Sequence, residues 1–250
     1  MTEYAAGTPS WVELSTKDAA GSAAFYGELF GWTTTDPSAE HGGYQTFLDG
    51  GQSTGGLNPM GEFPAWTTYV ATDDADATTE KVSANGGTVM FPPMDVGDLG
   101  RMAVYSAPDG AVFGVWQARE MKGADKVNTP YSLCWNETHS RDFETAKAFY
   151  GAVFGWTPQP FGDTYTVFNL GDKGIGGGMQ MMDGTPDEVP SYWLTWFAVA
   201  NHDDTVVKAK ELGAQVLMEG MEMPEVGKMA ILQDPQGAQF GVLEGATADE

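Results

Sequence analysis

Apolar and polar positions follow two rhythms along this chain. "WVEL" (Trp11–Leu14) alternates with period two, the pattern of a short half-buried strand. After Asp18 the spacing changes. Phe25 and Leu29, then Tyr26 and Phe30, stand four apart, which gives a helix one apolar face. Asp18 is placed as its N-cap and Gly31 as its C-cap. Short strands are predicted around Tyr44–Leu48 and Gly55–Pro59. Then the order restarts. "WTTYVA" reads as a strand, "DDADATTEKVSANGG" as a helix closed by Asn85, Gly86 and Gly87, and two or three more strands end at "AVFGVWQ". Later "YWLTWFAVA", "HDDTVVKAKELG" and strands to Leu243 follow the same course. Each run is a βαβββ module, and the chain holds four.

The modules come in two copies. "AAFYGELFGW" (Ala23–Trp32) returns as "KAFYGAVFGW" (Lys147–Trp156), with Trp11 over Trp135 and Glu13 over Glu137. Further on, Tyr44 meets Tyr165 and Trp66 meets Trp193. A repeat this long is a duplicated unit of about 120 residues. The expected limits are a first repeat at 1–118, a linker at 119–130 and a second repeat at 131–246. One βαβββ module cannot cover both faces of its sheet. Paired modules can, as mixed sheets curled into cups with helices outside, an α+β fold. The sequence leaves open whether each cup closes within a copy or by exchange, first module with fourth and second with third.

Composition narrows the function classes. Of 250 residues, 42% are hydrophobic, enough for a substantial core. Lys and Arg total 12 against 35 Asp and Glu, a formal charge of −23. That field repels phosphate backbones, so neither nucleic acid nor an anionic membrane surface is an expected partner. No apolar run spans a bilayer, and the start has no secretory pattern. Cys134 is the one cysteine, so no intrachain disulfide forms, which fits a reducing, cytoplasmic location. The expected partner is a small-molecule ligand, with no cofactor, and monomer and homodimer both stay open.

The order of strand, Asp, helix ending "FYG-x-x-F-GW", and closing "DP-x-G-x-x-F-G-V" resembles the vicinal oxygen chelate superfamily of glyoxalases, bleomycin-resistance proteins and extradiol dioxygenases. The tandem form, with "GTPSWVEL", "CWNE" and "VGKMAILQDPQGAQFGVL", is similar to actinobacterial two-copy glyoxalase-like proteins, a group that includes a mycobacterial culture-filtrate antigen. By that resemblance, metal-using members of the superfamily hold a divalent ion in the cup with His, Glu or Gln side chains. The resemblance puts the ligand positions at Trp11 and Trp135, at Thr67 and Leu194, and at Gly114 and Gly241. None of the six is a usual ligand. The three histidines, His41, His139 and His202, do not repeat between copies. The expectation is that both cups lack the usual metal site.

Side chains two apart on a strand share a face. If the first-strand ligand position faces the cup, so do Trp11 with Glu13, and Trp135 with Glu137. By the same parity Thr67, Tyr69, Val112, Gly114 and Trp116 line one surface, and Leu194, Trp196, Gln239, Gly241 and Leu243 its counterpart. The glycines are expected to leave room and the tryptophans to supply flat apolar walls, as in small-molecule sites. Glu13 and Glu137 are candidates for general acid or base, because burial among tryptophans penalises a carboxylate's charged form. The structural alternative pairs each with Arg101 or Lys228. Glu137 is the stronger candidate, because "WNETH" sets Asn136, Thr138 and His139 beside it. His139 shares its face if the strand runs that far, but a loop histidine facing solvent is the preferred reading. Cys134 has the opposite parity and reads as an inert buried thiol. "GDKGIGGGM" lacks the P-loop Lys and reads as a hairpin and Gly-rich strand. Copy one has Val12 and Ser15 where copy two has Asn136 and His139, so the second cup is expected to do the work.

The leading function is a metal-independent acid–base enzyme (isomerase, cyclase, lyase or hydrolase) for a small apolar or aromatic molecule. The alternatives are a ligand-sequestering binding protein and a metal-dependent glyoxalase or dioxygenase.

Overall fold

The computed structural model describes residues 3–245, so the outermost limits of the two repeats, residues 1–2 and 246, lie outside it. The first module is β1 (Pro9–Ser15), α1 (Ala19–Phe30), β2 (Thr33–Thr34), β3 (Gln45–Asp49) and β4 (Gln52–Asn58). The second is β5 (Ala65–Ala71), α2 (Ala75–Ala84), β6 (Thr88–Val96), β7 (Gly100–Ser106) and β8 (Val112–Ala118). The third is β9 (Leu133–Ser140), α3 (Phe143–Phe154), β10 (Thr157–Phe161), β11 (Tyr165–Leu170) and β12 (Lys173–Gln180). The fourth is β13 (Tyr192–Ala198), α4 (His202–Glu211), β14 (Gln215–Met223), β15 (Gly227–Gln233) and β16 (Gln239–Gly245). The helices begin where local chemistry requires. Asp18 and Asp142 accept a hydrogen bond from the backbone N–H three residues on, and Gly31 and Gly155 end α1 and α3 in the left-handed conformation. Phe25 and Phe149 are each the seventh residue of a twelve-residue helix. Among the described residues no helix is long and apolar enough to cross a membrane.

Each copy builds one eight-stranded mixed sheet, in the orders β2-β3-β4-β1-β5-β8-β7-β6 and β10-β11-β12-β9-β13-β16-β15-β14. Within modules the parallel pairs are β1 with β4, β5 with β8, β9 with β12 and β13 with β16. The compact units follow a different grouping. One contains the described residues up to Trp11 with Thr67–Gly123 and Asn136–Leu194, and its helices are α2 and α3. The other contains Val12–Trp66, Ala124–Trp135 and the described residues from Thr195, and its helices are α1 and α4. Both pairings left open by the sequence are therefore used. Strands pair within a copy, and helix-side cores pair modules two with three and one with four.

The repeated "FYG…GW" phrase fills those cores. In one unit Tyr26 meets Trp66 edge to face, with centroids 5.4 Å apart, and the Trp66 Nε1–H donates to the Tyr26 hydroxyl at 2.9 Å. In the other, Tyr150 meets Trp193 at 5.3 Å, with the matching hydrogen bond at 2.8 Å. A buried phenol needs such a partner, since an unmade hydrogen bond in the core costs its desolvation. The Tyr26 hydroxyl in turn donates to Asp234 Oδ2 at 3.0 Å. Asp234 Oδ1 accepts the backbone N–H groups of Gln236, Gly237 and Ala238, which ties the "DPQG" turn to α1.

Tyr26→Phe leaves Trp66 Nε1 and Asp234 Oδ2 short of a partner and is expected to cost about 1–3 kcal/mol in denaturant unfolding; an unchanged midpoint would refute the role given to the hydroxyl. Burial raises the Asp234 carboxyl above the usual Asp range, against the lowering effect of its N–H donors. A raised folded value means stability fully present below the unfolded value and lost as pH rises through the folded one. The stability of Asp234→Asn relative to the native protein should therefore climb with pH across that window, and a flat difference would contradict the raised value.

Candidate functional site

Strand alternation sorts the candidate residues. On β1, Val12 and Leu14 enter the helix-side core, so Trp11 and Glu13 lie on the opposite face. On β9 the Asn136 side chain accepts a hydrogen bond from Thr68, and Ser140 donates to Asp109. Trp135, Glu137 and His139 take the other face. The same period sets Thr67 and Tyr69 opposite Trp66 and Val70 on β5, and Gly114 and Trp116 opposite Phe113 and Val115 on β8. It sets Leu194 and Trp196 opposite Trp193 and Phe197 on β13, and Gln239 and Gly241 opposite Phe240 and Val242 on β16.

The glycines leave less room than their size suggests. A Cβ on Gly114 would lie 2.3 Å from the Tyr69 ring, and one on Gly241 would lie 2.2 Å from the Trp196 ring. Aromatic rings therefore fill the two places where the resemblance puts a metal ligand. Trp116 donates its indole N–H to Met121 O at 2.8 Å and lines a shallow hollow of about 470 Å³ with Tyr4, Ala71 and Lys122. Another hollow lies beside Thr157 and Asn169, and neither touches Glu137 or His139. Trp196 differs, because its buried indole N–H has no hydrogen-bond partner among the described residues.

The structure overturns the loop position favoured for His139. Strand β9 runs on to Ser140, and β12 pairs with it in parallel, Gly177 opposite Glu137 and Met179 opposite His139. His139 is buried, and its Nε2 lies 2.7 Å from Glu137 Oε1. The pair keeps only about a tenth of its side-chain surface exposed, 10% for Glu137 and 11% for His139. The second carboxylate oxygen of Glu137 accepts the Tyr165 hydroxyl at 2.9 Å. Tyr165 stands on β11 and must reach across β12, and Gly177 allows this. A Cβ there would lie 2.2 Å from the Tyr165 oxygen. Tyr192, the first residue of β13, stacks on His139 with centroids 4.9 Å apart and planes 14° from parallel. Burial, and then the Glu137 carboxylate, push the Tyr192 phenol up to about 12.

The structural alternative for the glutamates also changes. Arg101 pairs with Asp76 and Asp95, and Lys228 pairs with Asp203. Glu13 is only partly buried and accepts the Asn58 side-chain amide at 3.1 Å. Cys134 lies against Trp196 O at 3.4 Å, and burial pushes its thiol up to about 12, as suits an inert thiol. Tyr165 and Tyr192 were missed from the sequence. Tyr192 has the parity of Leu194 and Trp196 and was legible in principle. The part played by Tyr165 depends on the strand order.

A Glu–His pair with the second imidazole nitrogen unbonded can move a proton, and the carboxylate fixes which nitrogen carries it. Resident metal fits poorly. The six positions offer two indoles, a hydroxyl, an isobutyl group and two glycines covered by rings, and no group of three His, Cys, Asp or Glu converges among the described residues.

Residues 8–115 match the family model described as the Glyoxalase/Bleomycin resistance protein/Dioxygenase superfamily, and residues 134–243 match a Glyoxalase-like domain. A Mycobacterium tuberculosis protein, CFP32, which carries a provisional glyoxylase name, is 42% identical over 98% of this chain and 97% of its own length. The anthracycline biosynthesis protein DnrV of Streptomyces peucetius is 40% identical over 98% of this chain and 95% of its own. A Mn(II)-bound glyoxalase from Novosphingobium aromaticivorans has a similar fold, with TM-score 0.67 and 17% identity over 98% of this chain and 85% of that one.

Elemental analysis of the purified protein is expected to find no stoichiometric divalent metal. One tightly held Zn, Mn, Fe or Ni per sheet would return metal chemistry to first place.

Proposed function

The chain belongs to the glyoxalase/bleomycin resistance protein/dioxygenase superfamily, and from that premise we propose that it is a metal-independent acid–base enzyme for a small apolar or aromatic molecule, working at Glu137 and His139. The observation that carries the reading is the buried chain from Tyr165 through Glu137 to His139. Both carboxylate oxygens already accept a hydrogen bond, so Glu137 holds the imidazole rather than meeting the substrate. His139 Nδ1 makes no hydrogen bond among the described residues and is the proton carrier. With Nε2–H donated to Glu137, Nδ1 carries the lone pair, and the carboxylate stabilises the imidazolium that forms. The Tyr192 ring stacked on His139 supports a flat apolar ligand. The name of the Streptomyces relative, anthracycline biosynthesis, points to the same ligand class.

Sequestration without chemistry is the second reading, and copy one favours it for its own face. There Ser15 stands in the place of His139, and Asn58 binds Glu13. A pair of variants separates the readings on aromatic ketones and hydroxyanthraquinones. Glu137→Gln is expected to lower kcat on the order of a hundredfold or more, with KM little changed, while Glu13→Gln matters far less. Tryptophan fluorescence that reports binding by native protein without any turnover would transfer the conclusion to sequestration.

A further inference from the structure

Methionine is common in this chain, 13 of 250 residues, yet it does not fill the cores. Among the described residues Met181 is the one buried methionine. Four of the others lie on one hairpin. Ala230 and Leu232 of β15 enter the helix-side core, so Met229 and Ile231 take the opposite face. In the antiparallel ladder Met218 stands across from Ile231, Met221 from Met229 and Met223 from Gly227. Residues directly across such a ladder share a face. Met218, Met221, Met223 and Met229 therefore project from one face of β14–β15. Met221 is 40% exposed and the other three are half-buried. β14 is the edge strand of its sheet, and β15, β16 and β13 separate it from β9. The cluster is thus apart from Glu137 and His139, and it is independent of the acid–base reading.

We propose that these four thioethers form a binding site for Cu(I), a soft monovalent cation. Paired strands lie about 4.8 Å apart, and residues two along a strand about 6.7 Å. A methionine side chain is unbranched and has three rotatable bonds. From this backbone the Sδ atoms of Met221, Met223 and Met229 can close on one ion, and Met218, across the bulge, supplies a fourth ligand. Uncharged, polarisable sulfur suits Cu(I), whereas Mg and Ca take oxygen and Zn takes imidazole, thiolate or carboxylate. The exposed Met221 gives the ion a way in from water. The net charge of −23, with Glu219, Glu222 and Glu225 on the same hairpin, draws cations to it. Copy one is a control within the same molecule. The β6–β7 hairpin keeps the ladder and its two register shifts, but Phe91, Met94, Val96 and Met102 stand in the places of Met218, Met221, Met223 and Met229. Two thioethers there replace four.

The test uses native protein labelled with carbon-13 on its methionine methyl groups and titrated with Ag(I), a redox-stable stand-in for Cu(I). The first equivalent is expected to shift the methyl signals of Met218, Met221, Met223 and Met229 and to leave those of Met94 and Met102 in place. Cu(I) affinity is then measured without oxygen by competition with bicinchoninate. Thioethers carry no proton, so the affinity is expected to hold between about pH 5 and about pH 8, where an imidazole or thiolate site loses metal as pH falls. Met221→Leu combined with Met229→Leu keeps side-chain volume and is expected to weaken Cu(I) on the order of tenfold or more. Cys134→Ser is expected to change nothing. A first equivalent reported by Met94 and Met102, by all methionines alike or by none overturns the site. So does native affinity in the double leucine variant, or binding that falls with pH or is lost in Cys134→Ser. Circular dichroism of each variant separates loss of ligands from loss of fold.

Discussion

A βαβββ module has one helix and a sheet with two faces, and the helix can cover only one of them. The rest of the architecture follows from this shortage. Strands pair within each copy, so the sheet grows to eight strands, while the helix-side cores group module two with three and one with four. In both cores the same bond recurs, an indole N–H from β5 or β13 donated to the tyrosine of α1 or α3. It lets a large amphipathic ring sit fully buried without an unpaired oxygen. The duplicated phrase is thus a packing device.

The opposite face is where the copies part. A carboxylate buried on a sheet must find donors, or its charge is lost. Glu137 finds an imidazole two residues along its own strand and a phenol two strands away. The phenol arrives because β12 carries glycine where any side chain would block it. Glu13 accepts an amide from β4, and a serine stands where copy two has the imidazole. Duplication supplied two similar frames, and a few substitutions changed the surroundings of the glutamate in each.

Small residues have two opposite uses on this face. Gly177 opens a path between two side chains, whereas Gly114 and Gly241 are covered by the rings of Tyr69 and Trp196. A glycine in a strand records a close approach, and the neighbouring strand decides whether it means space or contact.

The sequence by itself determined the modules, their duplication and the face on which each side chain falls. These depend on local period, capping residues and repetition, all of which act over a few neighbouring positions. Asp18 and Gly31 bound α1 as their chemistry requires, and the parity of Trp11, Glu13, Trp135 and Glu137 follows from the pleat alone. What only the tertiary structure decided was partnership. His139 looked like a loop residue until β12 extended β9 to Ser140. Arg101 and Lys228 looked like partners for the glutamates until Asp76, Asp95 and Asp203 proved closer. Tyr165 became part of the site because β11, β12 and β9 lie side by side, an order set by hydrogen bonding between strands far apart in the chain. Period and propensity carry no information about such distant pairing, so the elements were legible and the contacts between them were not.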